Sequence, residues 1–253
     1  MDTINMNKRF ENTREKAARL IREGKTEQAS EAWSSFLDAL VSYKSWDQIK
    51  KFSETCIRQL PGTHVGYLTA GIACLNTEKF KEAIKYFSKV LELQPGNLRA
   101  LQHKSEAHFL SGQNKMALRI AKELRETDLY NPKYILLEVN CLTWLDRHEE
   151  ALYLVEEGLL VNPDDCRLLI EKALGADFAN MPDVALENYS KAESLNREKL
   201  LSPRMIETLV LLRANRGSFR FHHQDKPGGT DEQNMGNALM ELEKTMMFEY
   251  RSN

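Results

Sequence analysis

An alanine recurs at a fixed interval of 34 residues through the middle of the chain, at Ala83, Ala117, Ala151 and Ala185. A constant period of this length is typical of helical-repeat proteins, in which each unit is one helix pair that cannot bury its apolar face alone. The period predicts four consecutive units, at 64–97, 98–131, 132–165 and 166–199. Ile49 and Pro61 stand 34 residues before Ala83 and Pro95, so a degenerate unit precedes these four.

The constant spacing has a physical reason in the close packing of two antiparallel helices. A small residue at position 8 of the first helix is expected to face the alanine at position 20 of the second, which lets the helices cross closely. The predicted contacts are Gly71 with Ala83, Ser105 with Ala117, Val139 with Ala151, and Ala173 with Ala185. Helix starts are predicted where a capping residue precedes the unit, at Asn131-Pro132 and at Asp164 or Asp165.

The unit from His64 places Tyr67, Gly71, Phe80, Ala83 and Pro95 at repeat positions 4, 8, 17, 20 and 32. In this pattern the chain resembles the tetratricopeptide repeat family, with about four recognisable repeats and a degenerate one. The other units keep less of the pattern. The resemblance implies an all-α, right-handed solenoid of antiparallel helix pairs.

Four segments are predicted along the chain. Atypical N-terminal capping helices and the degenerate repeat occupy 1–62, with Trp33, Phe36 and Leu40 on one helix face. The repeats and a C-terminal capping helix occupy 63–216. Histidine, proline, glycine and polar residues predict a flexible linker over 217–234.

The last segment, 235–253, predicts an amphipathic helix whose apolar stripe contains Met235, Leu239, Leu242 and Met246. Three roles are open for it: it covers the last repeat, it docks a partner protein, or it pairs with a second copy of the chain.

Composition argues against several classes of function. The 35 basic and 37 acidic residues give a net charge of -2, so no global field attracts nucleic acid or an anionic membrane. The one basic run, Arg213, Arg216 and Arg220 with Phe219 and Phe221, is interpreted as a solvated helix end. No run of apolar residues approaches a membrane span, and none follows the charged start as a cleaved signal would. The four cysteines form no C-x-x-C pair, which favours reduced thiols in a cytoplasmic protein.

The chain also contains none of the common catalytic motifs for nucleotides, catalytic zinc or an activated serine. The pair His222-His223 has no further metal ligand at a suitable spacing. We therefore expect no enzymatic activity, no cofactor and no metal.

In the tetratricopeptide family the first helix of each unit lines a concave groove, with positions 2, 5, 9 and 12 pointing into it. The resemblance therefore implies a partner groove formed by Val65, Leu68, Ile72, Leu75, Arg99, Gln102, Glu106, Phe109, Lys133, Leu136, Asn140, Arg167 and Ile170. The alternative for Val65 to Leu75 is burial under the preceding helices. If these residues bind a partner, Leu68→Asp or Ile72→Asp should abolish capture without changing melting.

The expected function is an adaptor that binds a protein or peptide segment in this groove. Two alternatives stay open: a dedicated chaperone for an aggregation-prone or secreted client, and a regulatory subunit of a separately encoded enzyme. Binding of a chaperone's C-terminal carboxylate is not expected. The positions of the family's cationic clamp hold Leu68, Ile72, Gln102, Glu106 and Leu137, and only Lys133 matches.

Overall fold

The computed structural model describes residues 3–179 and 181–195 of the chain. These residues form eleven α-helices and no strand, which confirms the predicted all-α fold. The helices are α1 (Thr3–Arg22), α2 (Thr26–Val41), α3 (Trp46–Gln59), α4 (His64–Asn76), α5 (Phe80–Leu93), α6 (Leu98–Leu110), α7 (Asn114–Thr127), α8 (Pro132–Thr143), α9 (His148–Val161), α10 (Cys166–Phe178) and α11 (Pro182–Leu195).

Each of the four predicted units is one helix pair, and each first helix begins at the first residue of its unit. Side chains that precede these helices satisfy backbone N–H groups of the first turn. Oδ1 of Asn97 accepts from Ala100 N at 2.9 Å, and Oδ1 of Asn131 accepts from Lys133 N at 3.0 Å. Oδ1 of Asp165 accepts from Arg167 N at 3.0 Å and from Leu168 N. The predicted capping roles of Asn131 and Asp165 are therefore confirmed.

The degenerate unit is formed by α2 and α3. Trp33 and Leu37 stand 34 residues before Tyr67 and Gly71, and both are fully buried. Ile49, at the alanine position, is also fully buried. The repeat register thus extends into α2, a helix that the sequence pattern alone assigned to the cap, with larger side chains at the helix crossing.

The turns that join α2 to α3, α4 to α5, α6 to α7 and α8 to α9 each contain one residue with a left-handed backbone. Lys44, Glu78, Gly112 and Asp146 have φ angles of 54°, 58°, 78° and 57°, and they follow one another at intervals of 34 residues. After Glu78 and Gly112 the next N–H donates to a carbonyl five residues earlier, from Lys79 N to Cys74 O and from Gln113 N to His108 O, both at 2.8 Å. This is the Schellman pattern, which ends a helix by satisfying its last carbonyl groups.

The chain divides into two compact units. Unit 1 comprises residues 1–129 and 140–145, and unit 2 comprises 130–139 and 146–253, so α8 contributes to both. The first part of unit 1 is closed by an aromatic cluster, in which Phe10 of α1 stacks on Phe52 of α3 at 4.2 Å between ring centroids. Trp33 and Phe36 of α2 pack around the same ring.

A second core cluster of unit 1 lies between α4, α5 and α6 and centres on Phe87. Oγ of Ser105 donates to the Ala117 carbonyl at 2.8 Å, which confirms the predicted contact between α6 and α7. The atoms nearest to Gly71 belong to Phe87, four residues beyond the predicted partner Ala83. The aromatic ring at position 24 therefore occupies the space that the glycine leaves.

Unit 2 packs α10 against both α9 and α11. Gly158 of α9 lies against Ile135 and Leu168, so closely that a Cβ atom there would be 2.9 Å from Ile135 Cδ1. Ile170 of α10 and Ala192 of α11 belong to one core cluster.

The predicted capping helix to 216, the linker over 217–234 and the helix over 235–253 lie outside the described residues, as do Arg213, Phe219 and the histidine pair.

Candidate partner-binding face

Three first helices of unit 1 form one surface, which we call the first-helix face: α2, α4 and α6. Helix α4 packs against both α2 and α6. Oδ1 of Asp38 on α2 lies 3.8 Å from Nη1 of Arg99 on α6, so these side chains join the two helices that flank α4. Asp38 stands 34 residues before Ile72 and is thus at groove position 9 of the degenerate unit. Sequence reasoning missed it because α2 was assigned to the cap; the 34-residue step would have found it.

The four predicted groove residues of α4 differ in depth. Val65 is 8% exposed and belongs to the core formed with α1 to α3. Ile72 is 6% exposed and Leu75 is fully buried, both in the cluster around Phe87. Leu68 is half-buried and packs at the edge of that cluster. Of this apolar row, Leu68 retains the most accessible surface.

The predicted groove residues of α6 combine an exposed cation with a buried anion. The Arg99 side chain is exposed, Gln102 is half-buried, and Glu106 and Phe109 are buried. Both carboxylate oxygens of Glu106 have partners on their own helix. Nε2 of Gln102 donates to Oε1 at 3.0 Å, and Nδ1 of His103 lies 2.9 Å from Oε2.

His103 is in turn positioned by packing, because its ring stacks on Phe87 with 5.6 Å between centroids. A buried carboxylate is strongly disfavoured unless it is hydrogen-bonded, and these contacts supply that compensation. The arrangement holds the Glu106 carboxyl group in place beside Gln102 and His103.

The remaining predicted residues lie on α8 and α10. Asn140 is half-buried in the part of α8 that belongs to unit 1. In unit 2, Lys133 is exposed, whereas Leu136 and Ile170 are only 8% and 2% exposed. The Arg167 guanidinium is held by Asp165, with Nη2 to Oδ2 at 2.8 Å.

Residues 3–179 and 181–195 contain no group of three histidine, cysteine, aspartate or glutamate side chains that could hold a metal ion. The same residues contain no helix that is long and apolar enough to span a membrane. All four thiols are buried, and burial raises the pKa of Cys56 to about 12 and that of Cys74 to about 11.

Comparison with known families decides the identity of the repeat. The tetratricopeptide repeat family model matches residues 65–97, the unit formed by α4 and α5. Residues 65–97 are a tetratricopeptide repeat. Solved structures share the helical-repeat fold beyond the matched unit.

The chain is also similar to a curated protein over half of its own length. It is 29% identical over 130 residues to the Protein STIP1 homolog of Dictyostelium discoideum. The similar stretch covers 50% of the present chain but 23% of that relative, so most of the relative has no counterpart here.

Two solved structures illustrate the shared fold. MamA 41-end from Desulfovibrio magneticus RS-1 superposes with a TM-score of 0.59 at 16% identity, covering 67% of this chain and 96% of that one. YrrB, described as a TPR protein with an unusual peptide-binding site, gives a TM-score of 0.55 at 18% identity, covering 71% and 91%. At these identities the likeness establishes the fold alone.

Proposed function

We propose that this tetratricopeptide-repeat protein is an adaptor that binds a segment of a partner protein on the first-helix face of unit 1. The observation that carries the proposal is the contact between Asp38 and Arg99, which joins three first helices into one surface. The description of YrrB as a peptide-binding TPR protein supports the same use of the fold.

The chemistry of this face indicates what kind of segment it would bind. Leu68 supplies an apolar contact, and both Asp38 and Arg99 have side chains that are about half exposed. An extended or helical segment that combines an apolar anchor with polar groups of both signs would match it. Because the positions of the family's cationic clamp hold Leu68, Ile72 and Glu106, we do not propose recognition of a C-terminal tail.

The residues that fill the core have a different role. Because Ile72 is buried beside Phe87, Ile72→Asp would place a charge in the core and is expected to destabilise unit 1. We therefore propose Asp38, Leu68, Arg99 and Gln102 as the binding residues of this face, with Val65, Ile72 and Leu75 as its support.

We further propose that the protein acts in the cytoplasm and by binding instead of catalysis. Its four buried thiols are consistent with a reducing compartment, where free cysteines persist.

The proposal is tested by affinity capture of the tagged full chain, expressed at its native level, with quantitative mass spectrometry. Arg99→Glu should reduce the captured partner at least tenfold without lowering the melting temperature, because a surface ion pair contributes little to stability. The double variant Asp38→Lys with Arg99→Glu restores an ion pair but inverts the face, and it should also lose the partner. Lys85→Glu, on an exposed position of α5, is the matched control.

Equal capture by the wild type and the double variant would show that the partner binds elsewhere. Equal loss with Lys85→Glu would show a general effect of charge.

A further inference from the structure

A cleft of about 780 Å³ lies in unit 2 between α9 and α11, the second helices of two successive repeats. Leu169 and Lys172 of α10 also line it, and none of its lining residues belongs to the first-helix face of α2, α4 and α6. Its lining includes two large apolar side chains of α9 that are strongly exposed: Tyr153 at 70% and Leu160 at 84%. The core side of the same helix is formed by Ala151, Leu154, Val155 and Gly158.

An amphipathic helix ordinarily turns a polar face to solvent. Helix α9 departs from this rule, because Tyr153 and Leu160 lie two turns apart on its outer side. Val161 and Tyr130 add further apolar surface to the cleft. Large apolar side chains exposed together in a cleft, on a helix that is already packed on its other side, indicate a docking site.

We propose that residues 235–250 of this same chain form a helix that packs into the cleft between α9 and α11. The sequence of this segment carries the matching surface, since Met235, Leu239, Leu242 and Met246 share one helix face. Methionine and leucine side chains adapt well to an open, irregular cleft.

The position of the segment in the chain favours it over a free partner. The described part ends at Leu195, and Lys191 on the last turn of α11 already lines the cleft, about 6 Å along the helix axis from that end. Thirty-nine residues separate Leu195 from Met235, and the 18 of them in the predicted flexible linker over 217–234 span about 21 to 25 Å as a coil. Tethering over such a distance gives an effective concentration on the order of millimolar.

Charge is consistent with this occupant at one side of the cleft. On a helix, Glu243 and Glu249 flank the apolar stripe, whereas Lys244 and Arg251 lie on the opposite face. The cleft presents two ammonium groups: Lys172 lies 3.5 Å from Glu156, and Lys191 lies 3.1 Å from Asp164. Each ammonium has three donors and can bind a further carboxylate.

The other charged lining residues constrain the orientation. Glu156, Glu157 and Glu187 also line the cleft and would repel Glu243 and Glu249. The segment is therefore expected to place its flanking acids beside the lysines and its apolar stripe over Leu160.

The test is hydrogen exchange of the full chain, read by mass spectrometry over residues 235–250. The amides of this segment should exchange at least tenfold more slowly than in a free peptide of the same sequence. Leu160→Asp and the milder Leu160→Ser should remove this protection while α9 and α10 stay protected. Leu98→Asp, which places the same charge on an exposed leucine of unit 1, should leave it unchanged.

Each other outcome overturns the proposal. Absence of protection in the wild type, or protection that survives both Leu160 variants, excludes the cleft as the docking site. Protection that disappears on roughly hundredfold dilution assigns the cleft to the segment of a second copy. An unprotected segment, together with loss of a captured protein in Leu160→Asp, assigns it to a partner. None of these results depends on the first-helix face.

Discussion

Gly71 of α4 lies directly against the ring of Phe87 on α5, so closely that a Cβ atom on Gly71 would be 2.5 Å from Cε1 of the ring. Phe87 is fully buried and cannot move aside freely. We expect Gly71→Ala to destabilise unit 1 by about 1 to 3 kcal/mol, although alanine is the better helix former. Urea unfolding of the purified full chain measures the change.

Gly175→Ala is the matched control, because Gly175 also lies inside a helix but a Cβ there would be 3.4 Å from Leu152, an ordinary contact. It should stabilise the protein by up to about 1 kcal/mol. If Gly71→Ala stabilised the chain equally, the close contact with Phe87 would be disproved.

The left-handed turns predict opposite effects at equivalent positions. Gly112 has φ 78°, and a Cβ atom added there would meet no other atom within 4 Å, so Gly112→Ala should cost about 1 to 2 kcal/mol from backbone strain alone. Glu78 has φ 58°, and Glu78→Gly should relieve that strain and raise stability by up to about 1 kcal/mol. Thermal unfolding of both variants would contradict this prediction if the two shifts had the same sign.

The indole N–H of Trp33 needs a hydrogen-bond acceptor inside the aromatic cluster. Nε1 of Trp33 donates to Oε1 of Gln59 at 3.0 Å, and Nε2 of Gln59 donates to the Arg14 carbonyl. Gln59→Leu should cost about 1 to 3 kcal/mol, because it leaves the buried indole N–H without an acceptor. Gln59→Glu keeps an acceptor for the indole and should cost less in the same denaturation assay. A larger loss for Gln59→Glu would show that the bond to Arg14 dominates.

The buried ring of His108 predicts lower stability in mild acid. Burial lowers the pKa of His108 from its ordinary value of 6.5, and nearby Lys104 and Arg119 lower this pKa further, against the hydrogen bond with Gln113. Below pH 6.5 the unfolded chain therefore binds a proton at His108 more readily than the folded chain does. The stabilisation is complete above pH 6.5 and declines as the pH falls below it. Urea unfolding between neutral and mildly acidic pH should show a smaller decline for His108→Gln; parallel curves would refute the assignment.

The thiol of Cys56 predicts the opposite dependence at high pH. Burial raises its pKa from 9.0 to about 12, so the folded chain keeps a proton that the unfolded chain loses. Stability should be unaffected below pH 9 and fall by about 1.4 kcal/mol per unit above it until the folded thiol ionises. Cys56→Ala should lack this part of the decline. Rapid alkylation of native Cys56 at pH 8 would contradict its burial.

The repeat register could be predicted from the alanine spacing because one helix crossing recurs with the same small residues. That register located the starts of α4, α6, α8 and α10. The alanine spacing did not assign α2 to the repeat, because the crossing of α2 and α3 has the larger residues Leu37 and Ile49 in place of the small residue and the alanine. The sequence predicted turns at Gly112 and at Asp146, but it did not predict the left-handed backbone that recurs at all four positions, because only Gly112 is the residue type most typical of it.

At the candidate site, the burial of each groove residue was harder to predict than its position in the repeat. A groove position tells which way a first-helix residue points, but its burial depends on how closely the neighbouring helices approach. Val65 and Ile72 are covered, whereas Arg99 at an equivalent position stays exposed. Asp38 and Arg99 are 61 positions apart in the sequence, so no local pattern predicts that they form an ion pair.

The turn residues Lys44, Glu78, Gly112 and Asp146 share one backbone conformation, although the first, second and fourth have different side chains and Gly112 has none. The units therefore share the path of the main chain, while the residues along that path differ from one unit to the next. A search that scores identity will then recognise the best-kept unit and pass over its neighbours, as the family match to residues 65–97 does here. Dihedral angles at a fixed interval would count the units of so divergent an array more faithfully than its alanines and aromatics.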